Sequence, residues 1–161
     1  MALEYVKGDA THPKGEGMKY IVHICNDIGA WGAGFVVAVS KRWKDPERLY
    51  RQWARRERLK LGEIQPILVA IDITVINMVG QKDIHPKNGI PPIRYSAVRK
   101  CLSKVAEYQQ ENGSLATIHM PRIGAGLAGG NWQTIEDIIK DELVNKGIGV
   151  TVYDLPRGRR R

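Results

Sequence analysis

A layered α/β fold with a mostly parallel sheet is what this chain predicts, from the spacing of its apolar residues. Short apolar runs of strand length fall at 3–7, 20–25, 67–71, 75–79, 117–120 and 149–153, and most alternate with stretches of helical periodicity at 35–43, 45–60, 93–110 and 132–145. Two strand-to-helix junctions are rich in glycine: 26–34 reads N-D-I-G-A-W-G-A-G, and 119–132 reads H-M-P-R-I-G-A-G-L-A-G-G-N-W. Sheets of this kind bind ligands at the carboxyl ends of their strands.

Each element has its own signal. The strand at 3–7 enters a loop through Gly8 and Asp9 to Gly17. Residues 20–25 are almost continuously apolar, as a central strand covered on both faces should be. The helix at 35–43 carries Phe35, Val36 and Val39 at helical spacing. The next has Asp45 as its cap and Pro46 at its first position, and is expected to reach about residue 60 with Leu49 and Trp53 inward. Asp72 falls at the turn between two strands. A loop holding Gln81, Lys82, Asp83, His85, Pro86, Pro91 and Pro92 leads to the helix at 93–110, which turns Val98, Leu102 and Val105 to one side and has Gly113 just past its end. The last helix, 132–145, carries Ile135, Ile138, Ile139 and Leu143 and stops near Gly147. With no repeat and no linker, 1–156 reads as one domain and 157–161 as a basic tail.

The chain has 161 residues, 43% of them hydrophobic, enough for a substantial core. Cys25 and Cys101 read as buried thiols. His23, His85 and His119 have no ligand-like spacing and His12 sits in a loop without partners, so neither a metal nor a cofactor is expected. No run of 18 apolar residues and no signal-peptide pattern occurs, and a soluble cytoplasmic protein with no membrane partner is expected. The net charge of +8 is concentrated in Arg48, Arg51, Arg55, Arg56, Arg58 and Lys60, and in Arg157, Arg159, Arg160 and Arg161. Such clusters attract polyanions, although a solvated helix face is the plainer reading. Nucleic acid is not the expected partner, because aromatic residues do not interleave with these cations.

The stretch 119–132 runs from a strand through Gly124, Gly126, Gly129 and Gly130 into a helix. Glycine lets backbone approach a ligand closely, and the unpaired amides of a helix start suit phosphate, so a phosphate site is the first hypothesis. The alternative is a loop that merely turns the chain. The spacing of Gly124, Gly126 and Gly129 also fits a dinucleotide fingerprint, but that needs a further strand, helix and strand. Only 31 residues remain after Gly130. Two glycine loops at strand ends can instead oppose one another across a crevice, an arrangement suited to a diphosphate.

Five segments then agree in order: G-D-A-T-H-P after the first strand, H-I-C-N-D-I-G-A-W-G-A-G at the second, M-V-G-Q after the fourth, M-P-R-I-G-A-G-L, and the terminal T-V-Y-D-L-P. Over nearly the whole chain this resembles a macrodomain. Within that family it is similar to the macrodomain of the poly(ADP-ribose)-activated chromatin remodeller and to terminal ADP-ribose protein glycohydrolase. The resemblance implies a three-layer α/β/α sandwich with a mixed, mostly parallel central sheet, and ADP-ribose or an ADP-ribosylated protein as partner. By the same resemblance Asp9 would accept a hydrogen bond from the adenine amino group, or else cap its loop. Ala10 would flank the adenine, and Tyr153 would stack on it or simply edge the core. Ile123, Gly124, Ala125, Gly126 and Leu127 match the diphosphate loop; Gly32, Ala33, Gly34 and Phe35 match the loop opposite. Asn26 and Asp27 would face the distal ribose, or form a solvated pair.

In the glycohydrolase relatives a lysine attacks the distal ribose and a loop aspartate assists release. The resemblance places the aspartate at Ala128 and the lysine at Gln81 or Lys82. The catalytic candidates are therefore Lys82, with Asp27 standing in for the missing acid. Two readings stay open. One is a non-catalytic reader of ADP-ribose or of poly(ADP-ribose) ends. The other is a hydrolase that removes ADP-ribose from acidic side chains, deacylates O-acetyl-ADP-ribose or cleaves the phosphate monoester of ADP-ribose.

Overall fold

The almost continuous apolar run of the second strand is matched by burial on both of its faces. In the computed structural model, which describes residues 2–156, β2 (Lys19–Asn26) lies inside a six-stranded sheet between β4 (Ile73–Gln81) and β5 (Thr117–Met120), parallel to both. Beyond β5 come β6 (Val150–Asp154) and then β1 (Leu3–Lys7), also parallel. On the other side β3 (Ile64–Ala70) closes the sheet antiparallel to β4, giving the order β1-β6-β5-β2-β4-β3. The segment 157–161, expected as a basic tail, lies outside the described residues.

Alternation along the strands divides the core into two layers. Tyr20, Val22, Ile76, Met78, Ile118 and Met120 face α3 (Tyr95–Glu111) and α4 (Trp132–Glu142). Ile21, Cys25, Val75 and Val79 face α1 (Phe35–Arg42) and α2 (Asp45–Arg56). The result is the expected α/β/α sandwich. Burial raises the pKa of both the Cys25 and the Cys101 thiol, up to about 12 for Cys101, so these are inert core groups. No helix among the described residues is long and apolar enough to cross a membrane.

Several boundaries differ from expectation. Helix α2 ends at Arg56 instead of near 60, because the chain turns off its axis to put Leu59 in the core. Arg58 and Lys60 are therefore not helical. The residues α2 buries are Pro46 and Tyr50, while Leu49 and Trp53 are only half-buried. Asp45 is the first helical residue, not its cap; the cap position is Lys44, and the Asp45 carboxylate pairs with Arg48 at 3.0 Å. Helix α3 starts at Tyr95, since Ile93 bridges to Gln81 and Arg94 stays extended at φ −126°. Helix α4 gives way after Glu142 to a single 3-10 turn, Val144–Lys146, which Gly147 ends in the left-handed conformation.

Candidate functional site

Both glycine-rich junctions emerge at the carboxyl edge of the sheet, and between them opens a cleft of about 520 Å³. The loop after β5 is shaped mainly by its own backbone. Gly130 N–H donates to the Gly124 carbonyl at 2.7 Å, Gly129 N–H to Gly126 at 3.0 Å, and Ala125 N–H to Arg122 at 3.3 Å. Gly124 holds φ +71°, where a Cβ would lie 2.7 Å from Ile93 Cδ1, so a side chain is excluded twice over. The amides of Gly126, Leu127 and Ala128 have no acceptor among the described residues.

The loop after β2 is held from outside. Asn26 Oδ1 accepts from the amides of Ile28 (3.1 Å) and Ala30 (3.0 Å) and from the Tyr50 hydroxyl (2.8 Å), while its Nδ2 donates to Ala30 O at 2.8 Å. Arg51 on α2 reaches the carbonyls of Gly29 and Trp31, each at 3.3 Å. The loop ends at Gly34, φ +84°, as α1 begins. A Cβ on Gly34 would lie 3.5 Å from Leu127 Cδ1, so the two loops meet across the cleft.

One end of the cleft is formed by Tyr153, Asp154 and Leu155. The Tyr153 hydroxyl accepts from Lys14 N–H (2.8 Å) and bonds His119 Nδ1 (2.7 Å), leaving His119 Nε2–H for Thr117 Oγ1 at 2.7 Å. Burial, with Lys19 nearby, lowers the His119 pKa to about 4 and fits that neutral chain. Asp9 lies just behind, since Gly8 N–H bonds Asp154 O at 2.8 Å and the Gly8 backbone packs on the Tyr153 ring. Its Oδ1 accepts from the Thr11 amide (2.9 Å) and hydroxyl (2.8 Å), which is the loop-capping role. Ala10 is fully buried, and neither Asp9 nor Ala10 forms the cleft wall.

At the other end the structure separates the two positions that the sequence left open for a lysine. Gln81 lines the cleft, with Nε2 donating to Asp83 O at 2.9 Å. Lys82 points to the rim, its side chain 53% exposed, and pairs with Asp27 at 3.3 Å. Asp27 is nearly buried and also accepts from the Asp83 amide at 2.7 Å, tying the β4–α3 loop to the β2–α1 loop. Neither Lys82 nor Asp27 lines the cleft. Asn26 is not among the residues lining it either: its Oδ1 accepts three bonds and its Nδ2 donates to Ala30 O, so it organises its own loop in place of the ribose-facing role expected of it. Ala33, Gly34, Phe35 and residues 123–127 all line the cleft; Gly32 does not.

No family model matches the chain. Solved structures do. A protein of unknown function from Bacteroides thetaiotaomicron is 55% identical, with 96% of this chain and 99% of that one covered and a TM-score of 0.93. A macrodomain protein from Streptomyces coelicolor is 45% identical, with 95% and 99% covered and a TM-score of 0.83. This chain is a macrodomain. Among curated relatives, Chromodomain-helicase-DNA-binding protein 1-like of Mus musculus is 31% identical over 99% of this chain, but the chain spans only 18% of that protein's length. ADP-ribose 1''-phosphate phosphatase of Candida albicans is 30% identical, with 86% of this chain and 92% of the relative covered.

Two features of this macrodomain's cleft escaped sequence reasoning. His23 lines the cleft yet is tied to Asn77, with Nε2–H donating to Oδ1 at 2.5 Å, and burial lowers its pKa to about 4. Arg122 forms a two-pronged pair with Asp154 (2.7 and 3.0 Å) and lies against the Tyr5 and Trp132 rings, 5.1 and 5.2 Å from their centroids. That pairing holds the Asp154 carboxyl below its ordinary range. The basic and aromatic residues were visible in the sequence, but their partner lies 32 positions away.

Proposed function

We propose that this macrodomain binds ADP-ribose, with the diphosphate between the loops at 32–35 and 123–127, the adenine toward Tyr153 and Asp9, and the distal ribose toward Gln81. The observation that carries the reading is that the two glycine loops face one another across the cleft, a Cβ on Gly34 being within 3.5 Å of Leu127 Cδ1, while one of them presents three unbonded amides. Backbone donors at strand ends are suited to a pyrophosphate, which a side-chain cation is not needed to hold. The names of relatives point the same way, since the Candida albicans protein is an ADP-ribose 1''-phosphate phosphatase.

Calorimetry tests this directly. Micromolar affinity for ADP-ribose is expected, about 8 kcal/mol. Gly126 has open space where a Cβ would stand, so Gly126→Glu should fold and yet abolish binding by placing a carboxylate among the phosphates. Asp9→Ala should weaken binding severalfold. Equal affinity for AMP and ADP-ribose would remove the distal-ribose assignment.

A hydrolytic reading has one observation in its favour, the Asp27–Lys82 pair beside the Gln81 end. Against it, the buried Ala128 stands where an acid would assist and Gln81 stands at the wall. Incubation with protein mono-ADP-ribosylated on glutamate decides between them. Because Asp27→Ala would also free the β4–α3 loop, Lys82→Ala is the cleaner variant; turnover indifferent to both excludes these two residues from catalysis.

A further inference from the structure

The three loops that border the cleft carry exposed aliphatic side chains that a nucleotide diphosphate cannot use, Leu127 of them lining the cleft itself. Ile28 is 52% exposed, Ile84 42%, Ile90 56% and Leu127 75%, and they come from three different loops. The loops are joined where these residues sit. Asp27 bonds the Asp83 amide, bringing the neighbours Ile28 and Ile84 to one seam. Ile93 N–H donates to Ala128 O at 3.2 Å and Gly129 packs on Pro91, bringing Ile90 and Leu127 to a second. A tight turn through Asn88 and Gly89, closed by Lys87 and Ile90 exchanging backbone bonds of 3.1 and 2.9 Å, fixes Ile90 at its base. Single exposed aliphatic residues are ordinary, but here four fall on three loops that are bonded together around one cleft.

We propose that this rim is a docking surface for the polypeptide to which a bound ADP-ribose is attached, and that it takes apolar side chains flanking the modified residue. The inference rests on the ADP-ribose reading above and adds a protein component to recognition. Continuity with the cleft supports it, because whatever is joined to the distal ribose must leave past these side chains. The charge of the rim also favours protein over a phosphodiester chain. Of the cations on the three loops, Lys82, Lys87, Arg94 and Arg122, Lys82 and Arg122 are paired with Asp27 and Asp154, and Arg94 donates to the carbonyls of Pro91, Pro92 and Ile93.

The test compares four probes by calorimetry: free ADP-ribose, a peptide carrying ADP-ribose through a hydrolysis-resistant linkage with leucine and isoleucine on either side, the same conjugate with glycine and serine flanks, and an ADP-ribosylated oligonucleotide. The apolar conjugate should bind about tenfold more tightly than the other three, the effect of burying one to two aliphatic groups. The double variant Ile84→Asn, Ile90→Asn should lose that increment and keep its affinity for free ADP-ribose. Equal affinity for both peptide conjugates, preference for the oligonucleotide, or a preference that survives the double variant would overturn the proposal while leaving ADP-ribose binding intact. If no probe binds, the ADP-ribose reading fails and the rim proposal falls with it.

Discussion

The two glycine loops face one cleft but are held in opposite ways. The loop after β5 is self-supporting: three of its own backbone bonds close it, and glycine is required where chain crosses chain. The loop after β2 is shaped by others, with Asn26 gathering its amides and Tyr50, Arg51 and Ala54 on α2 bracing it from behind. The difference teaches where each loop is vulnerable. The first should fail through added bulk at glycine, the second through loss of a distant side chain.

The largest effect expected is at Gly130. A Cβ there would stand 2.5 Å from the Gly124 carbonyl oxygen and 2.9 Å from Ile135 Cδ1, and the first of these is backbone that cannot swing aside. Gly130→Ala should cost about 3–5 kcal/mol and abolish ligand binding, as read by urea denaturation and calorimetry. A normal unfolding midpoint would mean the loop is not self-supporting as described.

Next is acidification, which acts beneath both loops. His23 packs under the loop after β2, its ring centroid 5.4 Å from that of Trp31 and 5.6 Å from that of Phe35, and His119 stands on β5 below the other. Each has its pKa lowered by burial from 6.5 to about 4. Protons therefore favour the unfolded chain: the stability these residues contribute is complete above about pH 6.5 and is lost as pH falls toward 4. For His23 the loss reaches about 3 kcal/mol. Denaturation midpoints unchanged between pH 7 and pH 4.5 would contradict this.

Tyr50→Phe sharpens the comparison at smaller scale. The hydroxyl donates within 2.6 Å of Asn26 O and 2.8 Å of Asn26 Oδ1 in a fully buried position, so its loss should cost about 1–2 kcal/mol. ADP-ribose affinity should fall with it, because the loop that Asn26 organises loosens. Affinity unchanged at reduced stability would show that α2 supports the core but not the cleft.

What the sequence could show of this division follows from its physics. The buried strands were legible because apolar runs of strand length report burial directly, as in Y-I-V-H-I-C, and Gly147 and Pro46 mark helix ends through backbone constraints they carry themselves. Helix α2 was read too long because 57–60 contains no glycine or proline, and only the core's demand for Leu59 ends it. Tyr50 passed unnoticed, and Asn26 was assigned to a ligand, because their pairing joins residues 24 positions apart. The same limit hid Arg122 and Asp154. Gln81 and Lys82 could not be ordered from spacing, since the choice depends on which of two adjacent side chains the strand end turns inward.

The smallest effect should come at Gly32, and it separates folding from binding in the externally held loop. No atom lies within 4 Å of where its Cβ would be, and its backbone is not in the left-handed region, so an alanine fits without strain. Gly32→Ala should change stability by less than about 0.5 kcal/mol, with any gain coming from a less flexible unfolded chain. Gly32 lies one residue outside the cleft wall that begins at Ala33, and if a bound diphosphate reaches that far ADP-ribose affinity should fall severalfold at unchanged stability. If both quantities stay at wild-type values, Gly32 only turns the chain, and the ligand's contacts on this side begin at Ala33.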